Sequence, residues 1–142
     1  MKYQYTRSSA FPHLRGGLPL IEIALYYGEN EITVPALVDS GAAMSVLPYD
    51  TGLELGLELG LVWEDQTVPV NVGGVLKDTS AYGVLLRGSI CPLPPGSLVF
   101  AWVRRSSDEI RTIMGQMNFF HHYKITFEAY NDTFEIIRRE MD

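Results

Sequence analysis

Short apolar segments separated by turn residues make up most of this chain, and their lengths limit the folds that it can adopt. Residues 18–27 and 32–38 are two such segments on either side of the polar turn 28–31, a pattern that predicts a β-hairpin. Further strands are predicted at 67–72, 82–86, 98–103, 123–128 and 133–138. Many short strands joined by turns are typical of small β-barrels and β-sandwiches, so we expect an all-β domain.

Signals for helices are sparse by comparison. Residues 50–61 contain the tetrapeptide Gly-Leu-Glu-Leu twice in succession, and the glycines would weaken a long helix. We therefore expect one short helix in this stretch and another near 118–122. Residues 87–96 carry three prolines and two glycines, which predicts a loop.

The charge and length of the chain exclude several classes of function. It carries 11 basic and 17 acidic residues, a net charge of −6, whereas nucleic acids and anionic membranes are bound by basic surfaces. Its 142 residues, of which 46% are hydrophobic, suffice for one globular domain. No apolar run approaches the roughly 18 residues that cross a membrane, and residues 1–7 lack the apolar core of a signal peptide. We expect a cytoplasmic domain that binds neither nucleic acid nor membrane.

The sequence offers little for metal or thiol chemistry. Cys91 is the only cysteine, which excludes an intrachain disulfide and a cysteine-based zinc site. His121 and His122 are adjacent, and neighbouring side chains point in different directions on a strand or a helix. We expect no metal and no organic cofactor.

The most informative stretch surrounds Asp39. This acid follows the apolar residues 36–38 and precedes Ser40 and Gly41, after which small and apolar residues continue to Pro48. Such an arrangement would hold a carboxylate at the end of a buried strand. Taken alone, an Asp-Ser-Gly triplet also suits an ordinary β-turn, because all three residue types favour turns. Features elsewhere in the chain must separate these two interpretations.

Three segments, in the same order along the chain, resemble parts of the retropepsin-like aspartic proteases. Residues 36–48 resemble the active-site loop, and residues 112–120 resemble the apolar-apolar-Gly segment that passes behind this loop and leads into a short helix. Between them, residues 70–77 are similar to the Gly-rich flap hairpin that closes over the substrate. The resemblance covers roughly residues 18–138. It implies a small closed β-barrel of the retropepsin (acid protease) type, with a flap hairpin and one or two short helices.

The resemblance also implies an aspartic endopeptidase in which Asp39 is catalytic. Two carboxylates in such a site share one proton, so that one accepts a proton from water while the other donates to the substrate carbonyl. Asp78 and Asp132 lack a glycine two positions later, and Asp39 is taken as the catalytic candidate. A homodimer with one Asp39 from each chain, acting on a peptide or protein substrate, is therefore implied. The protease domain would comprise residues 18–142, after an N-terminal extension, 1–17.

The resemblance also implies supporting roles for residues near Asp39 and for residues elsewhere in the chain. Ser40 would brace the two catalytic loops across the dimer, Gly41 would let the substrate backbone approach closely, and Ala42 would complete the loop. The other positions are the flap residues Val72, Gly73 and Gly74, the substrate-pocket residues Val46 and Ile113, and the loop-supporting residues Met114 and Gly115.

Two positions depart from the family pattern. Ala43 stands where many viral members have an acidic residue, and Gln116 stands where they have an arginine. In those relatives the pair helps to anchor the dimer and the substrate ends. An alternative is therefore a catalytically silent retropepsin fold that binds a peptide partner or dimerises, and another is an inhibitor-like or structural dimer in which Asp39 only caps a turn.

Overall fold

The computed structural model describes residues 1–7, 16–57 and 81–139. Strands dominate these ranges, as the sequence predicts, and the helices are short. The elements are β1 (Lys2–Gln4), β2 (Leu20–Tyr27), β3 (Asn30–Val38), β4 (Val46–Leu47), α1 (Tyr49–Glu54), β5 (Ala81–Ser89), β6 (Gly96–Val103), β7 (Thr112–Met114), α2 (Phe119–His122), β8 (Tyr123–Glu128) and β9 (Thr133–Arg138).

Six strands form a closed barrel in the order β2-β3-β7-β4-β6-β5, and β5 pairs with β2 to complete it. The predicted hairpin is β2–β3, which runs in register from Leu20 opposite Leu37 to Tyr27 opposite Asn30. Gly28 lies in its turn with φ of +59°, a conformation that glycine adopts without steric cost. β3 and β7 pair in parallel, and this pairing sets the position of the residues that follow both strands. The prediction of an all-β barrel is confirmed.

A second sheet of three strands has the order β1-β9-β8. β8 and β9 form an antiparallel hairpin through a 3-10 turn, Ala129–Asn131, after which Asp132 has a φ of 55°. β1 pairs with β9 so that Lys2 lies opposite Glu135. Residues 2–4, which belong to the predicted extension, thus contribute a strand to this sheet.

The core is built from side chains that alternate along the strands. On β2, Ile21, Ile23 and Leu25 are buried while Glu22 between them is exposed, as expected for a sheet with one face inward. Burying a side chain of this size contributes roughly 1.5–3 kcal/mol. The largest fully buried side chains include Trp102, Phe100, Phe119 and Phe134. This core fixes β3, and with it the start of the loop at Asp39.

The structure differs from the sequence predictions at two element boundaries. β5 continues to Ser89, so the predicted loop over 87–96 is wrong for its first three residues. Arg87 pairs with Ser97 on β6, and a Cβ at Gly88 would lie 2.5 Å from Leu98 Cδ1, so the strand needs a glycine there. The short helix expected within 50–61 is present as α1, which begins one residue earlier, at Tyr49, and ends at Glu54.

Other predictions lie outside the described residues. These are the strand at 67–72 and the flap residues Val72, Gly73 and Gly74. Among the helices that the structure does describe, none is long and apolar enough to cross a membrane.

Candidate active site

Asp39 is the first residue after β3, at the end of a strand that has neighbours on both sides. Its backbone N–H donates to the Met114 carbonyl at 3.0 Å, and the N–H of Val38 donates to the Pro19 carbonyl at 3.0 Å. The side chain of Asp39 is half-buried, whereas Ser40 and Gly41 are exposed. The central strand β3 therefore places the Asp39 carboxylate at a fixed position near the surface.

The turn after Asp39 holds one of its two carboxylate oxygens. The Gly41 N–H donates to Asp39 Oδ1 at 2.9 Å, and the Ala42 N–H donates to the Asp39 carbonyl at 3.2 Å. A Cβ at Gly41 would lie 3.2 Å from Asp39 Oδ1, closer than side-chain contacts usually are. The hydrogen bond from the Gly41 N–H therefore fixes the position of this carboxylate oxygen.

The segment after β7 passes behind this loop and is hydrogen-bonded to it. The Gln116 N–H donates to the Ala42 carbonyl and the Met117 N–H to the Ala43 carbonyl, each at 2.9 Å. A Cβ at Gly115 would lie 2.6 Å from the Met44 carbonyl carbon and 2.9 Å from the Ala42 carbonyl oxygen. The close approach of the two backbones thus requires glycine at 115.

Two polar residues in this arrangement have structural roles that the sequence analysis missed. Ser45 is 1% exposed, and its Oγ accepts the Gly115 N–H at 3.0 Å. The Gln116 side chain donates from Nε2 to the Ser40 carbonyl at 2.6 Å. A serine between the apolar residues Met44 and Val46 is a signal that could have singled out Ser45. No comparable signal marks Gln116, since its partner is 76 residues away in the chain.

The predicted substrate-pocket residues are neighbours in the structure. Val46 on β4 lies opposite Ile113 on β7 in an antiparallel pair. Val46 is 1% exposed and belongs to a buried apolar cluster, against which the partly buried Ile110 and Ile113 pack. Val46 is thus buried beneath Ile113, which is the more exposed of the two, and contact of either side chain with substrate remains a prediction.

A second triplet that fits the Asp-Thr/Ser-Gly motif, formed by Asp50, Thr51 and Gly52, was not considered in the sequence analysis. The structure places it in the helix α1 instead of a strand-to-loop turn. The Asp50 carboxylate accepts hydrogen bonds from the backbone N–H and the Oγ of Ser107, which hold its pKa below the usual range. A Cβ at Gly52 would lie 2.5 Å from Trp102 Cε2, so this glycine serves helix packing. Asp39 is therefore the better candidate.

The remaining polar groups and clefts do not extend the site around Asp39. Asp132 lies in the β8–β9 turn, and Cys91 is exposed. The described part of the chain contains no group of three or more His, Cys, Asp or Glu residues that could hold a metal ion. A cleft of about 550 Å³ is formed by β3, α1 and the loop before β7, and Asp39 is not part of its lining.

Comparisons with known proteins agree with this architecture at the level of the fold. No protein-family model matches the sequence, and no curated protein matches it significantly. A retropepsin-like aspartic protease from Rickettsia conorii has a TM-score of 0.62 at 15% identity, over 96% of this chain and 90% of that chain. EIAV protease complexed with the inhibitor HBY-793 has a TM-score of 0.52 at 18% identity, over 72% of this chain and 85% of that chain. The fold is therefore retropepsin-like, as the sequence resemblance implies.

Proposed function

We propose that this protein is an aspartic endopeptidase in which Asp39 of each of two identical chains activates the attacking water. The observation that carries the proposal is the setting of Asp39. One oxygen of its carboxylate is held by the Gly41 N–H, on a loop that residues 115–117 brace from behind. The solved structures that share this fold are described as proteases, which supports the same reaction class.

The chemistry follows from two carboxylates that share one proton. The ionised carboxylate accepts a proton from a water molecule, whose oxygen adds to the peptide carbonyl carbon while the protonated carboxylate donates to the carbonyl oxygen. The resulting gem-diol collapses when the C–N bond breaks and the leaving nitrogen takes a proton. The products are a carboxylic acid and an amine, and the pair of aspartates regains its shared proton. Because this proton must stay on the pair, we expect an acidic to mildly acidic optimum.

The second carboxylate is proposed to come from a second copy of the chain. Within the described residues, the other acid in a motif-like triplet, Asp50, is tied to Ser107 and lies on a helix. A two-fold axis beside Asp39 would place two equivalent carboxylates together, and such isologous dimers are the commonest oligomers. Ser40, next to Asp39 and exposed, is available to bridge the two loops across that axis.

An extended peptide with apolar side chains is the proposed substrate. The partly buried Ile113, which packs against the buried Val46, would offer an apolar contact to side chains that flank the cleaved bond. An extended peptide can also add its backbone hydrogen bonds to those of a neighbouring strand. The flap residues Val72, Gly73 and Gly74 are proposed to cover the bound peptide.

The test is the cleavage of an unbiased peptide mixture between pH 4 and 7, with the wild type and the Asp39→Asn variant compared at equal concentration. The proposal requires wild-type cuts between apolar residues that are absent with the variant. A folded, dimeric wild type that cuts nothing at any pH would instead support the catalytically silent peptide-binding alternative. Equal cutting by both proteins would show that the observed cleavage does not depend on Asp39, as expected for a contaminating protease, and would give the proposal no support.

A further inference from the structure

Gln116 is hydrogen-bonded to the carbonyl groups of Ser40 and Ala42, the two residues next to Gly41 in the chain. Its backbone N–H donates to the Ala42 carbonyl at 2.9 Å, and its side-chain Nε2 donates to the Ser40 carbonyl at 2.6 Å. A carbonyl can only accept a hydrogen bond, so the amide nitrogen of Gln116 must face Ser40. One residue of the supporting segment thus holds two carbonyl groups of the loop, those of Ser40 and Ala42.

The peptide group between Ser40 and Gly41 is held at both of its ends. Its carbonyl oxygen accepts from Gln116, and its N–H donates to Asp39 Oδ1 at 2.9 Å. These two atoms belong to one rigid plane, so a rotation that weakens one hydrogen bond also weakens the other. Hydrogen bonds arranged in such a chain also polarise one another.

We infer that Gln116 is a positioning residue that controls the Asp39 carboxylate through the peptide group of Ser40 and Gly41. The side-chain amide fixes the orientation of this peptide plane and so keeps the Gly41 N–H directed at Asp39 Oδ1. The expected effect of Gln116 on catalysis rests on the proposed function, whereas its effect on the hydrogen bond from the Gly41 N–H does not.

The neutrality of the amide gives this arrangement a distinctive pH behaviour. The glutamine side chain does not titrate, so its hydrogen bond to the Ser40 carbonyl persists across the acidic range in which a shared-proton pair works. A glutamate at 116 would behave differently. Its protonated carboxyl could donate to the Ser40 carbonyl, whereas its carboxylate could only accept and would repel that oxygen.

The experiment measures amide hydrogen exchange at Gly41 in the full-length protein, together with peptide cleavage. Gln116→Met keeps the length of the side chain and removes the donor, and the Gly41 N–H should then exchange about fivefold faster than in the wild type. The N–H of Ile23, in the barrel core, should be unaffected. With an active enzyme, kcat should fall by about tenfold while KM changes little, because the interaction acts on the reacting carboxylate.

Gln116→Glu is the second variant, and it carries the test if Gln116→Met fails to fold. Its Gly41 exchange, corrected for the intrinsic effect of pH, should match the wild type near pH 4 and resemble Gln116→Met near pH 7. Gln4→Glu makes the same amide-to-acid change on the exposed strand β1 and should show no such crossover.

Unchanged Gly41 exchange in Gln116→Met, or in Gln116→Glu at both pH values, would overturn the inference whether or not the protein cleaves peptides. Faster exchange in a protein whose wild type cleaves nothing would support the positioning role and contradict the proposed protease function. The two proposals therefore fail in distinguishable ways.

Discussion

The Oγ of Ser45 accepts the backbone N–H of Gly115 at 3.0 Å in the protein interior, and the two residues are 70 positions apart in the chain. Ser45 also uses its backbone carbonyl to accept the Ala101 N–H of β6 at 2.8 Å. One small buried residue thus connects the end of the loop that follows Asp39 both to the supporting segment and to the barrel wall.

Replacing Ser45 by alanine should destabilise the protein by about 1–3 kcal/mol, because the buried Gly115 N–H would lose its acceptor. Ser97→Ala is the matched control, since Ser97 is exposed on β6 and its loss should cost less than about 0.5 kcal/mol. Urea unfolding of the three proteins measures the difference. Equal stability of Ser45→Ala and the wild type would show that the hydrogen bond contributes nothing.

Gly115→Ala should destabilise the protein by about 1–3 kcal/mol, because the added Cβ would overlap the backbone at Met44 and Ala42. Gly83→Ala provides the comparison, because a Cβ at Gly83 has nothing within 4 Å and the residue also lies in a strand. Thermal unfolding should place Gly83→Ala close to the wild type. If both alanine variants unfold at the same temperature, the close approach of the two backbones at 115 is not needed for stability.

Asp50→Asn should lower stability at neutral pH and leave peptide cleavage in place. The hydrogen bonds from Ser107 hold the pKa of Asp50 below its ordinary value, so the folded state favours the charged carboxylate. That contribution to stability is present above about pH 4, and it is lost as the pH falls through the lowered pKa that Asp50 has in the folded protein. Because Asp50 is only partly buried and solvent screens its charge, we expect a loss of about 0.5–1 kcal/mol at pH 7.

Urea unfolding at pH 7 and at pH 3 measures this effect. The free energies of unfolding of Asp50→Asn and the wild type should be closer to each other at pH 3 than at pH 7. A difference that grows towards pH 3 would contradict the sign of the pKa shift. Loss of cleavage by folded Asp50→Asn would contradict the choice of Asp39 over the triplet at 50–52.

A site that needs two copies of Asp39 predicts a specific result when active and inactive chains are mixed. With equal amounts of the wild type and Asp39→Asn and free exchange of subunits, about one quarter of the dimers carry two intact aspartates. Activity per wild-type chain should then fall to about half. Unchanged activity per wild-type chain would mean that each chain is catalytically complete, and sedimentation of the mixture verifies that dimers are present.

The sequence predicted the barrel better than it predicted the details of the site. The β2–β3 hairpin was predictable because apolar segments on both sides of a Gly-Glu-Asn-Glu turn are a local signal. The triplets alone could not distinguish Asp39 from Asp50, because both fit the motif. The two acids differ in their structural context: Asp39 follows the strand β3, whereas Asp50 lies in the helix α1, after Pro48. Strand context carried the information that the motif lacks.

The predictions that failed or were missed depend on contacts between distant segments. A high content of proline and glycine favours a loop over 87–96, yet Gly88 is held inside a strand because Leu98 leaves no room for a Cβ. Gln116 was identified only as a departure from an arginine, since its hydrogen bond to the Ser40 carbonyl follows from the parallel pairing of β3 and β7. Contacts between segments that are distant in the chain cannot be predicted from local sequence patterns.

The parallel pairing of β3 with β7 also has a consequence for when the loop at Asp39 is positioned during folding. β2 and β3 can form their hairpin early, because their residues are close in sequence, whereas β7 must be brought in from a distant part of the chain at a larger entropic cost. A nascent chain that has folded only the hairpin has Asp39 but lacks the donors and acceptors of Met114, Gly115 and Gln116 that position its loop. We therefore expect the loop at Asp39 to be positioned late in folding, and, if the proposed function holds, a half-folded chain would not yet cleave peptides.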